Sequence, residues 1–93
     1  MATYLMFGTL TQAARNAVSA KRTEDAVALI NQLGGEFKAG YATLGEVDFV
    51  VIVDLPDTER AIQLSVGLSR LLDINFRAVP AVSIDEFDKL ASA

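Results

Sequence analysis

Residues 47–53 (VDFVVIV) constrain the fold more than any other part of the chain. The stretch is far shorter than the roughly 20 residues of a membrane-spanning helix, and its β-branched side chains favour a strand. Side chains alternate between the two faces of a strand, so the apolar residues divide into Phe49, Val51 and Val53 on one face and Val50 and Ile52 on the other. A strand that is apolar on both faces predicts a central position in a sheet covered on both sides.

Composition narrows the possible functions. The 93 residues form one domain, residues 1–93, and a chain of this size buries only about two-thirds of its unfolded surface by itself. A hydrophobic content of 52% is therefore a surplus that a partner subunit would cover. The net charge of −4 argues against a nucleic-acid-binding protein. Because the chain has no cysteine and no histidine, we expect no disulfide, metal site, cofactor or histidine base.

The N-terminal residues lack the charged and apolar regions of a signal peptide, and no apolar run approaches 18 residues. We therefore expect a cytoplasmic protein that does not associate with a membrane.

The remaining patterns predict the element order β-α-β-β-α-β with a terminal helix. Strands are expected at residues 3–10, 36–44, 47–53 and 74–81, and helices at residues 24–33, 58–72 and 84–90. The helix caps are expected to be Thr23, Asp57 and Ser83, with Glu86 completing a capping box at the last. A short helical turn is expected at residues 12–17, and residues 45–46 are expected to form a tight hairpin turn. In the second strand we expect Phe37, Ala39 and Tyr41 to share one face. The second long helix should bury Ala61, Leu64, Ser65, Leu68 and Leu71.

This order predicts an α+β, ferredoxin-like βαββαβ fold, with a four-stranded antiparallel sheet and a short C-terminal helix. The first and third strands are central, and Pro80 suits an edge position for the fourth. Because both helices cover the same face, the other face, which we expect to carry Phe49 and Val51, needs another cover. A second copy packed face to face would form a dimeric α/β barrel. The terminal helix and a different protein are the alternative covers.

Residues 43–51 (TLGEVDFVV), followed by Leu55, Pro56 and Asp57, resemble the GYD-domain family. The resemblance extends from the first strand through residues 75–77 (NFR) to Glu86 and Phe87. It implies a ferredoxin-like dimeric α/β barrel, in a family whose members mostly lack an established activity. Val47 stands where the family usually has tyrosine before the aspartate, so no role that needs that phenol is carried over.

Three residues could contribute to a site in or beside the sheet. Asp48 begins an apolar strand, where a partly desolvated carboxylate could act as a general acid or base. Alternatively, Asp48 accepts hydrogen bonds from backbone amides at the hairpin turn, or pairs with a basic residue from the next strand. Tyr4 and Tyr41 could line a ligand pocket between sheet and helices, or could be core residues with one satisfied hydroxyl.

Four basic residues could hold an anion. Arg15, Lys21 and Arg22 lie in a connection without acidic residues and could bind an anionic ligand or an acidic loop. A solvated basic loop is the alternative. Arg77, on an edge strand, could neutralise Asp48 or a ligand carboxylate.

These patterns leave three functions open. The first is a non-catalytic dimeric module that binds a small molecule or serves in a larger assembly. The second is a cofactor-independent isomerase, cyclase or monooxygenase, with Asp48 as base and with Tyr4 or Tyr41 and Arg77 stabilising negative charge. The third is a higher oligomer joined through the edge strands.

Overall fold

The sheet forms from the apolar stretches of the sequence. The computed structural model describes residues 1–92, and its strands are β1 (Ala2–Leu10), β2 (Glu36–Ala42), β3 (Phe49–Leu55) and β4 (Ile74–Ala81). The four strands form one sheet in the order β2-β3-β1-β4, and every neighbouring pair is antiparallel. The predicted fold is therefore confirmed, with β1 and β3 central and Pro80 on an edge strand.

Four helices lie between and after the strands. They are α1 (Gln12–Asn16), α2 (Ala20–Gln32), α3 (Thr58–Leu72) and α4 (Ile84–Ala91). The predicted bounds of α3 are confirmed, and the Asp57 carboxylate accepts a hydrogen bond from the Arg60 amide at 2.8 Å. At α4 the Ser83 hydroxyl accepts from the Glu86 amide at 3.1 Å, as the capping box predicts.

Helix α2 begins four residues earlier than predicted. Its cap is Ser19, whose hydroxyl accepts from the Arg22 amide at 3.2 Å. Thr23 lies inside the helix, and its hydroxyl donates to the Ser19 carbonyl at 3.4 Å. The assignment of Thr23 as cap was wrong because Ser19 caps equally well and is followed by good helix formers.

The core lies between α2, α3 and one face of the sheet, called the helix face below. Its largest fully buried side chains are Met6, Ile30, Val53, Leu55 and Leu64. Helix α3 buries Ala61, Leu64, Leu68 and Leu72. The prediction of Leu71 was wrong because the helical repeat of 3.6 residues continues the buried stripe from Leu68 to Leu72.

The face of strand β3 that packs against the helices is the opposite of the one expected. Phe49 and Val51 pack against the core on the helix face, together with the buried Val53 and Leu55. The expectation that Phe49 and Val51 face away from the helices was wrong, because β3 continues two residues further than predicted. Leu55 extends the apolar series on that face, whereas the polar Asp54 falls on the other face.

Strand β2 also departs from simple alternation. Its register with β3 shifts between Phe37 and Ala39, which indicates a bulge at Lys38. Phe37 therefore lies on the helix face, opposite Val53, whereas Tyr41 lies on the other face, opposite Val50. The predicted common face of Phe37 and Tyr41 was wrong because a bulge inserts one residue and reverses the alternation.

The connection from β2 to β3 is a six-residue loop, residues 43–48, rather than the predicted two-residue turn. The Thr43 hydroxyl donates to the Val47 carbonyl at 2.7 Å, and the Thr43 amide donates to the Asp48 carbonyl at 2.8 Å. These bonds close the loop on itself, so strand pairing ends at Ala42 and resumes at Phe49.

The face of the sheet opposite the helices is called the open face below. Two cross-strand rows occupy its centre: Tyr41, Val50, Phe7 and Arg77 form one, and Ala39, Ile52, Leu5 and Val79 form the other. Both rows are mainly apolar, and none of their members belongs to the core cluster or packs against it. The sheet is therefore apolar on both faces, as the sequence predicts for its central strands.

Helix α4 does not supply the missing cover. None of its described residues is buried, and Ile84, Phe87 and Leu90 each expose more than half of their surface. The radius of gyration is 13.9 Å, against about 12 Å for a compact domain of this length. Helix α4 thus adds a second unpartnered apolar surface to the open face.

Candidate functional site

Asp48 fastens the start of β3 to the end of β1. One oxygen of its carboxylate accepts a hydrogen bond from the Leu10 amide at 2.8 Å, and its own amide donates to the Gly8 carbonyl at 2.8 Å. Its other carboxylate oxygen lies 4.0 Å from the Arg15 guanidinium. The structure thus brings together two of the candidate residues, Asp48 and Arg15. The Asp48 carboxylate also holds the backbone at Leu10, the end of β1.

We expect Asp48→Ala to lower the free energy of unfolding by about 1–2 kcal/mol, because the Leu10 amide loses its acceptor. Arg15→Ala should change stability by less than about 0.5 kcal/mol, since its exposed side chain makes only a long ion pair. Urea unfolding at one protein concentration measures both effects, and amide hydrogen exchange at Leu10 locates the first. Equal stability of the two variants would contradict the anchoring role of Asp48.

Tyr4 lies in the core on the helix face, and only 4% of its surface is exposed. Its hydroxyl lies 3.3 Å from the Thr58 hydroxyl, which gives the phenol a hydrogen-bonding partner at the start of α3. Tyr4 borders a depression of about 240 Å³ between α3 and β4. This geometry is that of a core tyrosine with a satisfied hydroxyl.

Tyr41 and Arg77 lie at opposite ends of one row of the open face. Three strand spacings of about 4.8 Å separate their backbones, roughly 14 Å in total. Tyr41 is 61% exposed. Tyr4 faces the helices and Arg77 faces away from them, so one chain does not gather Asp48, Tyr4 and Arg77 at a common site.

The three basic residues between β1 and the middle of α2 each have a separate contact. Arg15 approaches Asp48, and Lys21 pairs with Asp25 one turn along α2. The Arg22 guanidinium donates to the carbonyl of Leu72 at the C-terminus of α3, where a cation complements the helix dipole. These contacts link neighbouring elements of the fold. They do not bring the three basic side chains together to bind one anion.

A cavity of about 280 Å³ lies between α2 and the helix face of the sheet. Its lining is almost entirely apolar and comes from α2, α3, β2, β3 and β4: Thr23, Ala26, Val27, Ile30, Phe37, Gly40, Tyr41, Ala42, Phe49, Val51, Leu68, Leu72, Ile74 and Phe76. Tyr41 is the only candidate residue from the sequence analysis among them. The cavity occupies the region between sheet and helices where a ligand pocket was expected.

The other residues of this cavity were not identified from the sequence. Two signals could have indicated it: a glycine in the middle of β2 at Gly40, and small side chains at Thr23 and Ala26 on the inner side of α2. Small residues opposite one another leave space where two layers meet. The bulge at Lys38, which turns Phe37 toward this space, has no clear signature in the sequence.

Two features of the described residues bear on other kinds of site. Residues 1–92 contain no group of three acidic side chains close enough to hold a metal ion. The helices within the same range are also too short or too polar to traverse a lipid bilayer.

Several solved structures share the fold at low sequence identity. A feast or famine regulatory protein from Mycobacterium tuberculosis, complexed with L-methionine, superposes with a TM-score of 0.61 at 14% identity, covering 89% of this chain and 51% of that one. The leucine response regulatory protein of the same organism gives 0.58 at 15% identity, covering 88% and 51%. The chain thus spans about half the length of these proteins, and the likeness concerns the fold.

No curated protein is significantly similar to the chain in sequence. The profile of the GYD domain, however, matches residues 4–91, which include every strand and helix of the structure from Tyr4 onward. The resemblance noted around residues 43–51 is thereby confirmed over nearly the whole chain, and the protein belongs to the GYD domain family.

Proposed function

We propose that the chain is a non-catalytic, homodimeric accessory module that binds a small molecule. The observation that carries the proposal is the pair of apolar rows on the open face, which no element of residues 1–92 covers. An antiparallel sheet with one face in water normally alternates apolar and polar residues. Leu5, Phe7, Val50 and Ile52 do not fit that pattern, whereas a second copy of the same face would bury all of them.

A second copy is favoured over an unrelated partner because two identical apolar faces complement each other through a two-fold axis. Four strands about 4.8 Å apart and seven residues of about 3.3 Å each define a face of roughly 400 Å². Burying that face on both copies removes roughly 800 Å² from water in total, whereas specific, stable interfaces bury about 1,200–2,000 Å². The open face alone is therefore marginal, and a stable dimer needs further contact area.

Helix α4 is the part of the chain that could supply this area. Its exposed apolar residues include Phe87 and Leu90, and it follows directly after the edge strand β4. In the proposed dimer, α4 packs against the partner beside the paired sheets. Tyr41 and Arg77 lie at the two edges of the open face and therefore at the rim of the interface. If either residue binds a ligand there, residues of both chains would contribute to the site.

We expect Phe87→Ala to weaken the dimer by at least about tenfold, because the dimer loses two partly buried phenylalanines, each of which contributes on the order of 1–2 kcal/mol. Ile62→Ala is the matched control, since Ile62 is similarly exposed but lies on α3. Sedimentation equilibrium over a range of concentrations gives both dissociation constants. Equal dissociation constants for the two variants would show that α4 is not part of the interface, and would leave the proposed role of the open face unchanged.

Two observations support the small-molecule part of the proposal. The first is the apolar cavity of about 280 Å³ beside α2, close to the lower limit of roughly 300 Å³ for ligand pockets. The second is that a regulatory protein of similar fold has been solved in complex with L-methionine. The ligand, any larger assembly and the cytoplasmic location stay predictions.

Native mass spectrometry of the protein purified from its own source tests both parts together. The proposal predicts a mass of 20 kDa, twice the 10.0 kDa of one chain, plus the mass of a retained small molecule. A species of 10.0 kDa without added mass contradicts both parts, and an additional protein chain would identify a different cover for the open face.

The alternative function is a small cofactor-independent enzyme with a pocket between sheet and helices. The cavity is an observation in its favour, but Asp48, the predicted base, is not among the lining residues. The side chain of Tyr41, the candidate residue that does border the cavity, belongs to the open face, so an enzyme of this kind would need a bound group to supply the chemistry. Once a turnover assay exists, full activity of Asp48→Asn would exclude the mechanism in which Asp48 is the base.

The third function, oligomers joined through β2 and β4, receives less support. The bulge at Lys38 interrupts β2, and Pro80 removes a backbone donor from β4. Both features are typical of edge strands that resist pairing with another chain. Light scattering that detects rings or filaments would nevertheless favour this function over a closed dimer.

A further inference from the structure

We propose that the cavity between α2 and the helix face binds an uncharged, largely apolar small molecule. This inference rests on the small-molecule part of the proposed function and adds the place and the chemical class of the ligand. It does not depend on the dimer, because the cavity lies on the helix side of the sheet and the proposed interface lies on the opposite side.

Strand β3 shows that the helices cover the sheet incompletely. Val53 and Leu55 are completely buried, whereas Phe49 and Val51, on the same face of the same strand, are only partly buried. Val51 is central in the sheet, with β1 and β2 on either side of it. Its residual exposure therefore arises from an opening above the sheet, and the cavity is lined by both Phe49 and Val51.

The opening results from the size of the side chains that α2 presents to the sheet. Thr23, Ala26 and Val27 line the cavity and are all short. Gly40 lies beneath them on β2, where a Cβ atom would lie only 3.0 Å from the Phe37 ring. The bulge at Lys38 thus directs the Phe37 ring across Gly40, and this partly exposed ring forms a wall of the cavity on its solvent side.

The chemistry of the lining selects the class of ligand. Among the described residues that line the cavity, none has a charged side chain, and Thr23 is the one whose polar side chain lies on the helix side, since the Tyr41 side chain belongs to the open face. The Thr23 hydroxyl donates to the Ser19 carbonyl at 3.4 Å, so its oxygen remains able to accept a bond from a ligand hydroxyl or amide. An ammonium or carboxylate would lose its hydration without gaining an ionic partner. A free amino acid therefore does not fit this cavity, although the fold neighbour was solved with L-methionine.

The test compares two fluorescent probes of the same ring size. The neutral probe is 1-naphthol, and 1-naphthoate is its anionic counterpart at neutral pH. The chain has no tryptophan, so naphthalene fluorescence can be followed without interference from indole. We expect 1-naphthol to bind at least about tenfold more tightly than 1-naphthoate, equivalent to about 1.4 kcal/mol. Equal affinity, or no binding of either probe, overturns the proposal.

A pair of substitutions on one helix tests the place of binding. Ala26→Phe fills the cavity and should reduce 1-naphthol affinity at least tenfold, whereas Ala28→Phe, on the exposed side of α2, should leave it unchanged. Thermal unfolding of both variants shows whether each is folded. Unchanged binding by a folded Ala26→Phe variant would contradict the proposed place.

Methyl chemical shifts of the unsubstituted chain give a test that needs no variant. We expect 1-naphthol to shift the methyl signals of Ile30, Val51 and Leu68, which line the cavity, and not those of Leu5 or Val79 on the open face. Shifts confined to the open face would overturn the cavity site while leaving a small-molecule function in place. Cavity shifts in a chain that sediments as a monomer would support the site and contradict the dimer.

Discussion

Val79→Glu should convert the dimer into a folded monomer. Val79 lies on the open face opposite Leu5, and 44% of its surface is exposed in the single chain, so a glutamate there can remain hydrated in the monomer. In the dimer, both copies of the carboxylate would be placed in or beside an apolar interface. We expect a loss of at least about 3 kcal/mol, or roughly a hundredfold in Kd.

The chain offers a closely matched control for this substitution. Val66 is also 44% exposed but lies on α3, on the helix side of the sheet. Val66→Glu makes the same change of charge and size away from the proposed interface. Sedimentation velocity should therefore detect a monomer for Val79→Glu and a dimer for Val66→Glu, with circular dichroism confirming that both are folded. Dissociation of both variants, or of neither, would contradict the assignment of the interface to the open face.

The second large effect is expected at Gly35, where α2 turns into β2. A Cβ atom there would lie 2.5 Å from a methyl carbon of Leu55 and 2.8 Å from the Asp54 carbonyl oxygen. Leu55 is completely buried, and the Gly35 amide is held by the Ile30 carbonyl at 3.0 Å. Neither strand nor helix can move aside cheaply, so we expect Gly35→Ala to lower the free energy of unfolding by about 3 kcal/mol.

Gly67→Ala is the control for Gly35→Ala. A Cβ atom at Gly67 would lie 2.8 Å from Leu29, but the contact is with the end of a flexible, partly exposed side chain. The gain in helix propensity of about 1 kcal/mol offsets the displacement of Leu29, so we expect a net change below about 1 kcal/mol. Urea unfolding at a fixed protein concentration measures both, because the stability of a dimer depends on concentration. Similar losses for the two variants would contradict this account of the packing.

Local patterns predicted most of the fold. The apolar period of residues 58–72 and the cap at Asp57 gave α3 its observed bounds. Pro80 indicated an edge strand, and the apolar content of both faces indicated that β1 and β3 are central. These features depend on neighbours within a few residues, or on a single residue with strong backbone preferences, so sequence alone contains them.

Features that depend on contacts between distant residues were not predicted. The choice between Ser19 and Thr23 as cap depends on how α2 packs, and the bulge at Lys38 depends on the register of β2 against β3. Which face of β3 the helices cover was decided by Leu55, beyond the expected end of the strand. The cavity depends on the position of the α2 cap, on the bulge at Lys38 and on the face of β3 that the helices cover. Each of these changes which side chains lie between α2 and the sheet.

The candidate residues illustrate the same limit. Sequence identified Asp48 as a carboxylate at the start of an apolar strand. The expected partners were amides of the hairpin turn or a base from the next strand, whereas the observed partners are the Leu10 amide at the end of β1 and Arg15 in α1. Sequence could not show that Tyr4 and Arg77 lie on opposite faces of the sheet, since that depends on strand pairing. The function proposed for the chain therefore rests on the uncovered open face and the apolar cavity, and not on a cluster of catalytic side chains.

Sedimentation equilibrium of the unsubstituted protein tests most directly whether a second copy covers the open face. The account predicts a single species close to 20 kDa at micromolar concentration, twice the 10.0 kDa of one chain. A species of 10.0 kDa that persists as the concentration rises would contradict it.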